Sequence, residues 1–161
     1  MSTVAAFDIQ RDDLSDPRVA TFLEEHLQDM RRVSPPESVH ALDLDGLRQP
    51  EVAFWTLWHG DGDIRLLVGT GALKSLDTGH AEVKSMRLHT AWRGHGLVTR
   101  MLEHLMAHAR TTGTQRLSLE TGSQPFFAPA RALYERHGFA PCPPFGHYRE
   151  DPASCFYTRC L

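Results

Sequence analysis

The sequence predicts one α/β domain whose central sheet is antiparallel in part and parallel in part. Three observations carry this expectation. Between residues 51 and 89, three strand-like runs follow one another across turn-sized gaps, as antiparallel hairpins do. After residue 96, strand-like runs alternate with helix-patterned ones, as crossover connections do. The 161 residues, 41% of them hydrophobic, suffice for a single core that buries roughly 70% of the unfolded surface. No linker, repeat or low-complexity stretch interrupts them, so the domain is expected to span residues 1–161.

VAAFDIQ, residues 4–10, reads as the first strand. Asp16-Pro17 then has the form of a helix start with proline at the first position, and the helix should run to about Arg32. In SPPESVHALDLDGL, Ser34 takes the place of an N-cap, Pro35 of the first helical residue, and Glu37 the capping-box spacing, so a short second helix is expected there. EVAFWTLWHG and IRLLVGTGALKS read as strands joined by the turn GDGD. HAEVKSMRLH follows the turn-like LDTG as the next strand. Its apolar positions change parity: Ala81 and Val83 share one face, Met86 and Leu88 the other. One extra residue in the strand re-aims all that follow it, so a β-bulge is predicted between the two pairs. Leu97 to about Thr112 carries a helical stripe of Leu97, Val98, Met101, Leu102, Leu105, Met106 and Ala109. RLSLET is a strand, PFFAPARALYERHGF a helix ending at Gly138, and SCFYTRCL a final strand.

The formal charge of −3, without a basic stripe, argues against a nucleic-acid binder. Cys142, Cys155 and Cys160 show no C-x-x-C spacing and suggest neither a disulfide framework nor a zinc site. His104 and His108 have metal-like i, i+4 spacing, but no glutamate completes H-E-x-x-H, and both are expected to be solvated; no metal is expected. No apolar run approaches the ~18 residues of a membrane span, and no basic leader opens the chain, so a cytoplasmic protein is expected.

The chemistry concentrates in TAWRGHGLVTRML. Here a strand gives way to a helix through Arg93, Gly94 and Gly96, so unpaired backbone N–H groups and the positive end of a helix dipole converge on one place. Such a junction suits a pyrophosphate. It is not a Walker loop, since no lysine and hydroxyl residue follow the last glycine. Nor is it a G-x-G-x-x-G fingerprint, since Thr99 stands at the third position.

R-G-H-G-L-V resembles the [QR]-x-x-G-x-[GA] acetyl-coenzyme A loop of the GNAT N-acetyltransferases, and the order of elements is similar over nearly the whole chain. A-x-x-L-Y-x-x-x-G-F, present as Ala130, Leu133, Tyr134, Gly138 and Phe139, is similar to a motif of that family's later helix. SPPESVHALD with EVKSMR resembles a bacterial subgroup. The resemblance implies a GNAT-like fold, with helices on both faces of a mixed sheet and bulged, splayed central strands.

It further implies that acetyl-coenzyme A is held by Arg93, Gly94, His95, Gly96, Leu97, Val98 and Thr99 and by the backbones of Met86, Arg87 and Leu88. Tyr134 takes the general-acid role beside the coenzyme sulfur, and Glu82 that of the base, with Glu120 or water as alternatives; the N–H of Met86 or Arg87 would hold the oxyanion. Ser34, Glu37, Ser38 and His40 would meet the acceptor, and Tyr148 in PPFGHYREDP would close the pocket from the other side. For Ser34 and Glu37 the capping box is the competing explanation, and for Tyr148 an ordinary surface loop. Two positions depart from the family pattern: Val98 replaces a Gly or Ala, and Phe127 stands where many members carry Asn.

The expected activity is acetyl transfer from acetyl-coenzyme A to a primary amine of a small molecule or peptide by direct attack. The alternatives are a non-catalytic acyl-coenzyme A binding or sensing module and an interaction protein that has lost the cofactor. A homodimer is compatible with all three.

Overall fold

The computed structural model describes residues 6–161. The first strand, β1, covers Phe7–Arg11; the expectation that it begins at Val4 concerns residues outside the described ones. Helix α1, Pro17–Val33, starts as the sequence predicts: the Asp16 carboxylate accepts the Arg18 N–H at 2.9 Å, and proline occupies the first turn. Its buried stripe is Val19, Phe22, Leu23 and Leu27.

The second helix departs from expectation. Ser34 is not an N-cap but the residue that closes α1, extended at φ −133° and ψ 146°, with its N–H bonded to the Met30 carbonyl. The cause is the Pro35-Pro36 pair: a residue before proline is pushed out of the helical region, and proline brings no N–H to continue the ladder. Only a single 3₁₀ turn, Pro36–Ser38, follows. Helix α2 begins ten residues after Ser34, at Leu44–Leu47, where the Asp43 carboxylate caps the Gly46 N–H at 2.9 Å.

Strands β2 (Val52–His59), β3 (Leu66–Asp77) and β4 (His80–Leu88) form an antiparallel meander. The predicted bulge is present. Thr70 pairs with Arg87 and Ala72 with Lys84, so Ser85 and Met86 together face Gly71. Ser85 sits at φ 54°, and the Thr70 hydroxyl fixes the distortion by donating to the Ser85 carbonyl at 2.7 Å. Met86 and Leu88 thereby return to the core face used by Ala81 and Val83.

Helix α3 (Leu97–Thr111) leads to β5 (Arg116–Gly122), α4 (Ala128–Arg136) to β6 (Ala140–Pro141), and a loop to β7 (Ser154–Cys160). Pro125–Phe127 form a 3₁₀ turn before α4 rather than its first residues. The sheet runs β1-β2-β3-β4-β5-β7-β6. Helices cover both faces: α1 and α2 pack on Phe54 and Trp58, while α3 and α4 pack on Leu117, Leu119 and Tyr157. His104 and His108 are not solvated as expected; both rings pack edge-on against Trp55, with centroids 5.4 and 4.6 Å away.

One feature of the sheet positions the site. β4 runs parallel to β5 only where His80–Glu82 face Arg116–Ser118. Beyond Glu82 the two strands diverge, and β4 continues through the bulge without a partner on that side.

Candidate active site

A cleft of about 620 Å³ opens in this gap and extends from the start of α3 to the residues that follow α1. Its first half is backbone. Gly94 and Gly96 lie at φ 84° and 71°, the left-handed region that side chains disfavour, and a Cβ at either would meet nothing within 4 Å. The glycines are therefore required by conformation and leave open space before the loop. From Gly94 through Thr99 no backbone N–H finds a partner among the described residues; the ladder of α3 starts with the Arg100 N–H on the Gly96 carbonyl. A row of free amides at a helix N-terminus is the donor set a pyrophosphate needs, so these residues fit the cofactor that the loop motif implies.

The side chains sort differently. Arg93, Val98 and Thr99 line the cleft, whereas the His95 ring is exposed outside it, leaving only its amide to contribute. Val98 also packs against the core under α3, which accommodates its extra bulk. Along β4, Ser85, Met86, Arg87 and Leu88 line the cleft, and the buried Ser85 hydroxyl finds no partner among the described residues. Phe127 lays its ring against Gly122, where a Cβ would come within 2.0 Å of it. The wall is apolar where an asparagine would have made it polar.

Tyr134 stands where the two halves meet. It is 6% exposed, its ring packs edge-on against Phe139, and its hydroxyl has no hydrogen-bond partner among the described residues. Burial first, and then the charge of Glu120, push its pKa upward, so it is a phenol that holds its proton firmly.

The second half is a set of charged side chains from β4 and β5, roofed by the segment after α1. Glu82 is 3% exposed. Its Oε2 accepts the Tyr148 hydroxyl at 2.5 Å and the Lys84 ammonium at 3.1 Å, and Lys84 also donates to the Tyr148 oxygen at 3.0 Å. The His40 ring stands edge-on to Tyr148 at 4.9 Å, and the Ser38 hydroxyl donates to Asp151. These contacts tie the segment after α1 to the loop before β7. Glu120 makes no hydrogen bond among the described residues; burial and its carboxylate neighbours outweigh Lys84 and raise its pKa from 4.5 to about 7. Behind them Arg87 donates to Asp29 at 2.9 Å, and its Nη1 lies 3.4 Å from Nδ1 of His26, which burial and the guanidinium keep neutral, its pKa lowered to about 4.

Of the acceptor residues expected from the sequence, Ser34, Ser38, His40 and Tyr148 line the cleft. Glu37 does not: it is exposed on the 3₁₀ turn, outside the lining, and with Ser34 closing α1 it caps nothing. The sequence reading passed over His26, Asp29 and Asp151. A signal for the first two existed, because Phe22, His26 and Asp29 follow one helical face at i, i+4, i+7, an apolar stripe that turns polar where it reaches the cleft. No local pattern marks Asp151.

Residues 19–139 match the Acetyltransferase (GNAT) family model. The chain is 49% identical to the uncharacterized N-acetyltransferase YsnE of Bacillus subtilis (strain 168), over 95% of this chain and 99% of that one. It is 44% identical to the uncharacterized N-acetyltransferase YedL of Escherichia coli (strain K12), over 96% and 95% respectively. The fold is similar to that of an acetyltransferase from Streptococcus agalactiae 2603, with a TM-score of 0.72 at 19% identity, covering 96% of this chain and 98% of that one.

Proposed function

Because the chain belongs to the GNAT family of acetyltransferases, we propose that its cleft transfers the acetyl group of acetyl-coenzyme A to a primary amine of a small molecule or peptide by direct attack, releasing coenzyme A. One juxtaposition carries this reading: the free amides of Gly94 to Thr99 open into the same cleft as the unbonded Tyr134 hydroxyl and the partnerless edge of β4. Bound acetyl-coenzyme A supplies a thioester carbonyl for the amine nitrogen to attack and a thiolate to be released.

The chain supplies position and protons. Amides from Gly94 to Thr99 hold the pyrophosphate, with Arg93 beside them, and the edge from Met86 to Leu88 lines up the extended arm of the coenzyme. An N–H at the bulge, from Met86 or Arg87, would hold the oxyanion that forms on the thioester carbonyl. The Tyr134 Oη holds the proton that the departing thiolate takes.

Two carboxylates face the gap, and their surroundings divide the work. Both donors to Glu82 Oε2 are protein groups, so Glu82 orients Lys84 and Tyr148 rather than a substrate. Glu120 is unencumbered, and with its pKa near 7 it accepts the proton of the incoming ammonium; the base expected at Glu82 is thus assigned to Glu120. Ser34, Ser38, His40 and Tyr148 enclose the acceptor.

Calorimetric titration of acetyl-coenzyme A is the test. Micromolar binding is expected in the native chain and none in Gly96→Glu, where a carboxylate would oppose the pyrophosphate. The Gly96→Ala variant controls for the strain of placing any side chain at φ 71°. Equal binding in all three would reject the phosphate cradle, and binding without transfer to any amine would make the protein an acyl-coenzyme A binding module.

A further inference from the structure

Lys84 and Arg87 are the two cations of β4 that line the acceptor half, and each faces a carboxylate of the chain itself. Lys84 and Glu82 are buried together at 3.1 Å, and Arg87 is joined to Asp29 at 2.9 Å. The Arg87 Nε is sealed from the cleft and unpartnered among the described residues, and Asp29 balances the charge of the guanidinium. Setting these pairs aside leaves Glu120, and beyond it Asp151, which the Ser38 hydroxyl and the Ala153 N–H hold from the loop side. In the acceptor half each cation of β4 is thus charge-balanced by a carboxylate of the chain, and Glu120 is the lining carboxylate left over among the described residues.

From this pairing, and resting on the acetyl-transfer reading above, we infer that the acceptor is a small primary amine with an apolar or aromatic body and no carboxylate beside its nitrogen, the decarboxylated counterpart of an amino acid. An ammonium group is drawn to Glu120, the one cleft carboxylate without a partner among the described residues. An α-carboxylate, fixed by its own covalent geometry within a few ångströms of that nitrogen, would be pressed toward Glu120, while Lys84 and Arg87 are already charge-balanced by Glu82 and Asp29. Like charges so placed are strongly disfavoured. The rest of the lining suits an uncharged body: Met30, Val39, Phe127 and the Tyr148 ring surround it, and Phe126, half exposed, stands at the mouth.

The experiment compares matched pairs at saturating acetyl-coenzyme A: phenethylamine against phenylalanine, and histamine against histidine, read as thiol release. Each amine is expected to exceed its amino acid in kcat/KM by about 100-fold, the scale on which one mismatched group discriminates. Amino acids acetylated as fast as the amines would overturn this inference and leave acetyl transfer standing. Binding of acetyl-coenzyme A with no transfer to any of the four would overturn it as well, whereas failure to bind acetyl-coenzyme A would remove the reading on which it rests. Asp29→Asn supplies an independent check, because it keeps the shape of the side chain but releases the charge of Arg87. The amine-to-amino-acid ratio should then narrow roughly 10-fold, following the change in local charge. As a ratio within one variant, it is unaffected by a general loss of activity, and an unchanged ratio would refute the charge-pairing basis of the inference.

Discussion

Burial favours the protonated form of both Tyr134 and Glu120, and their different starting points suit them to the different roles proposed for them. Burial keeps the Tyr134 phenol protonated, so the variant Tyr134→Phe removes a proton donor and little volume. Its kcat should fall by roughly 100-fold or more, the usual scale for one positioned acid, while calorimetric affinity for acetyl-coenzyme A stays the same. For Glu120, burial raises the pKa to about 7. Activity should therefore rise with pH through about 7 as the carboxylate forms, and Glu120→Gln should abolish that limb of the kcat/KM profile. The same shift enters stability. The folded chain retains a proton that the unfolded chain releases near 4.5, so the native protein is favoured most below 4.5 and loses that margin as pH rises through about 7. Denaturant titrations across that window should show the native chain losing stability relative to Glu120→Gln. Both residues are present in the sequence as candidates, but their ranking was not. The carboxylate first preferred as base, Glu82, is occupied by Tyr148, a residue 66 positions away.

Among the elements, α1 and β4 form the frame of the acceptor half. They are joined by Arg87, Asp29 and His26, with the guanidinium also over the Phe22 ring at 5.2 Å. His26 is buried neutral, its pKa depressed from 6.5 to about 4. A base with a depressed folded-state pKa contributes fully above its unfolded value and loses that contribution on acidification, because the unfolded chain binds the proton first. Stability should thus decline between about pH 6.5 and 4, and His26→Gln should flatten this part of the curve in thermal melts followed across pH. The elements themselves were readable in uneven measure. The start of α1, the bulge in β4 and the stripe of α3 were legible because capping, parity and helical periodicity are local rules. Ser34 was misread because two rules competed there: a capping-box spacing pointed to a helix start, and the two prolines that follow forced an end. β6, two residues long with a proline on the sheet edge, carried no periodicity to detect.

Across the whole molecule, the sheet separates two cores, and α3 is the element that links the larger core to the glycine loop proposed to hold the coenzyme. Leu105 of α3 is wholly buried between the sheet and its neighbours. Leu105→Ala should cost about 2–5 kcal/mol by chemical denaturation, a large share of the ~5–15 kcal/mol typical of a domain. It should also weaken coenzyme binding, since the amides from Gly94 to Thr99 are oriented by this helix. No helix of the described residues is long and apolar enough to cross a membrane. By itself the sequence determined the fold class, the order of most elements, the bulge and the glycine loop before α3, because each is encoded in spacings of a few residues: periodicity, parity, caps and glycines. Only the tertiary structure decided which carboxylate is free, which cations are paired and which residues of the segment after α1 reach the cleft. Those properties depend on distances between Glu82 and Tyr148, Asp29 and Arg87, and Ser38 and Asp151. Such pairs lie on separate elements, and they meet only once β4 and β5 diverge and the loop before β7 folds over the gap, which no local pattern along the chain specifies.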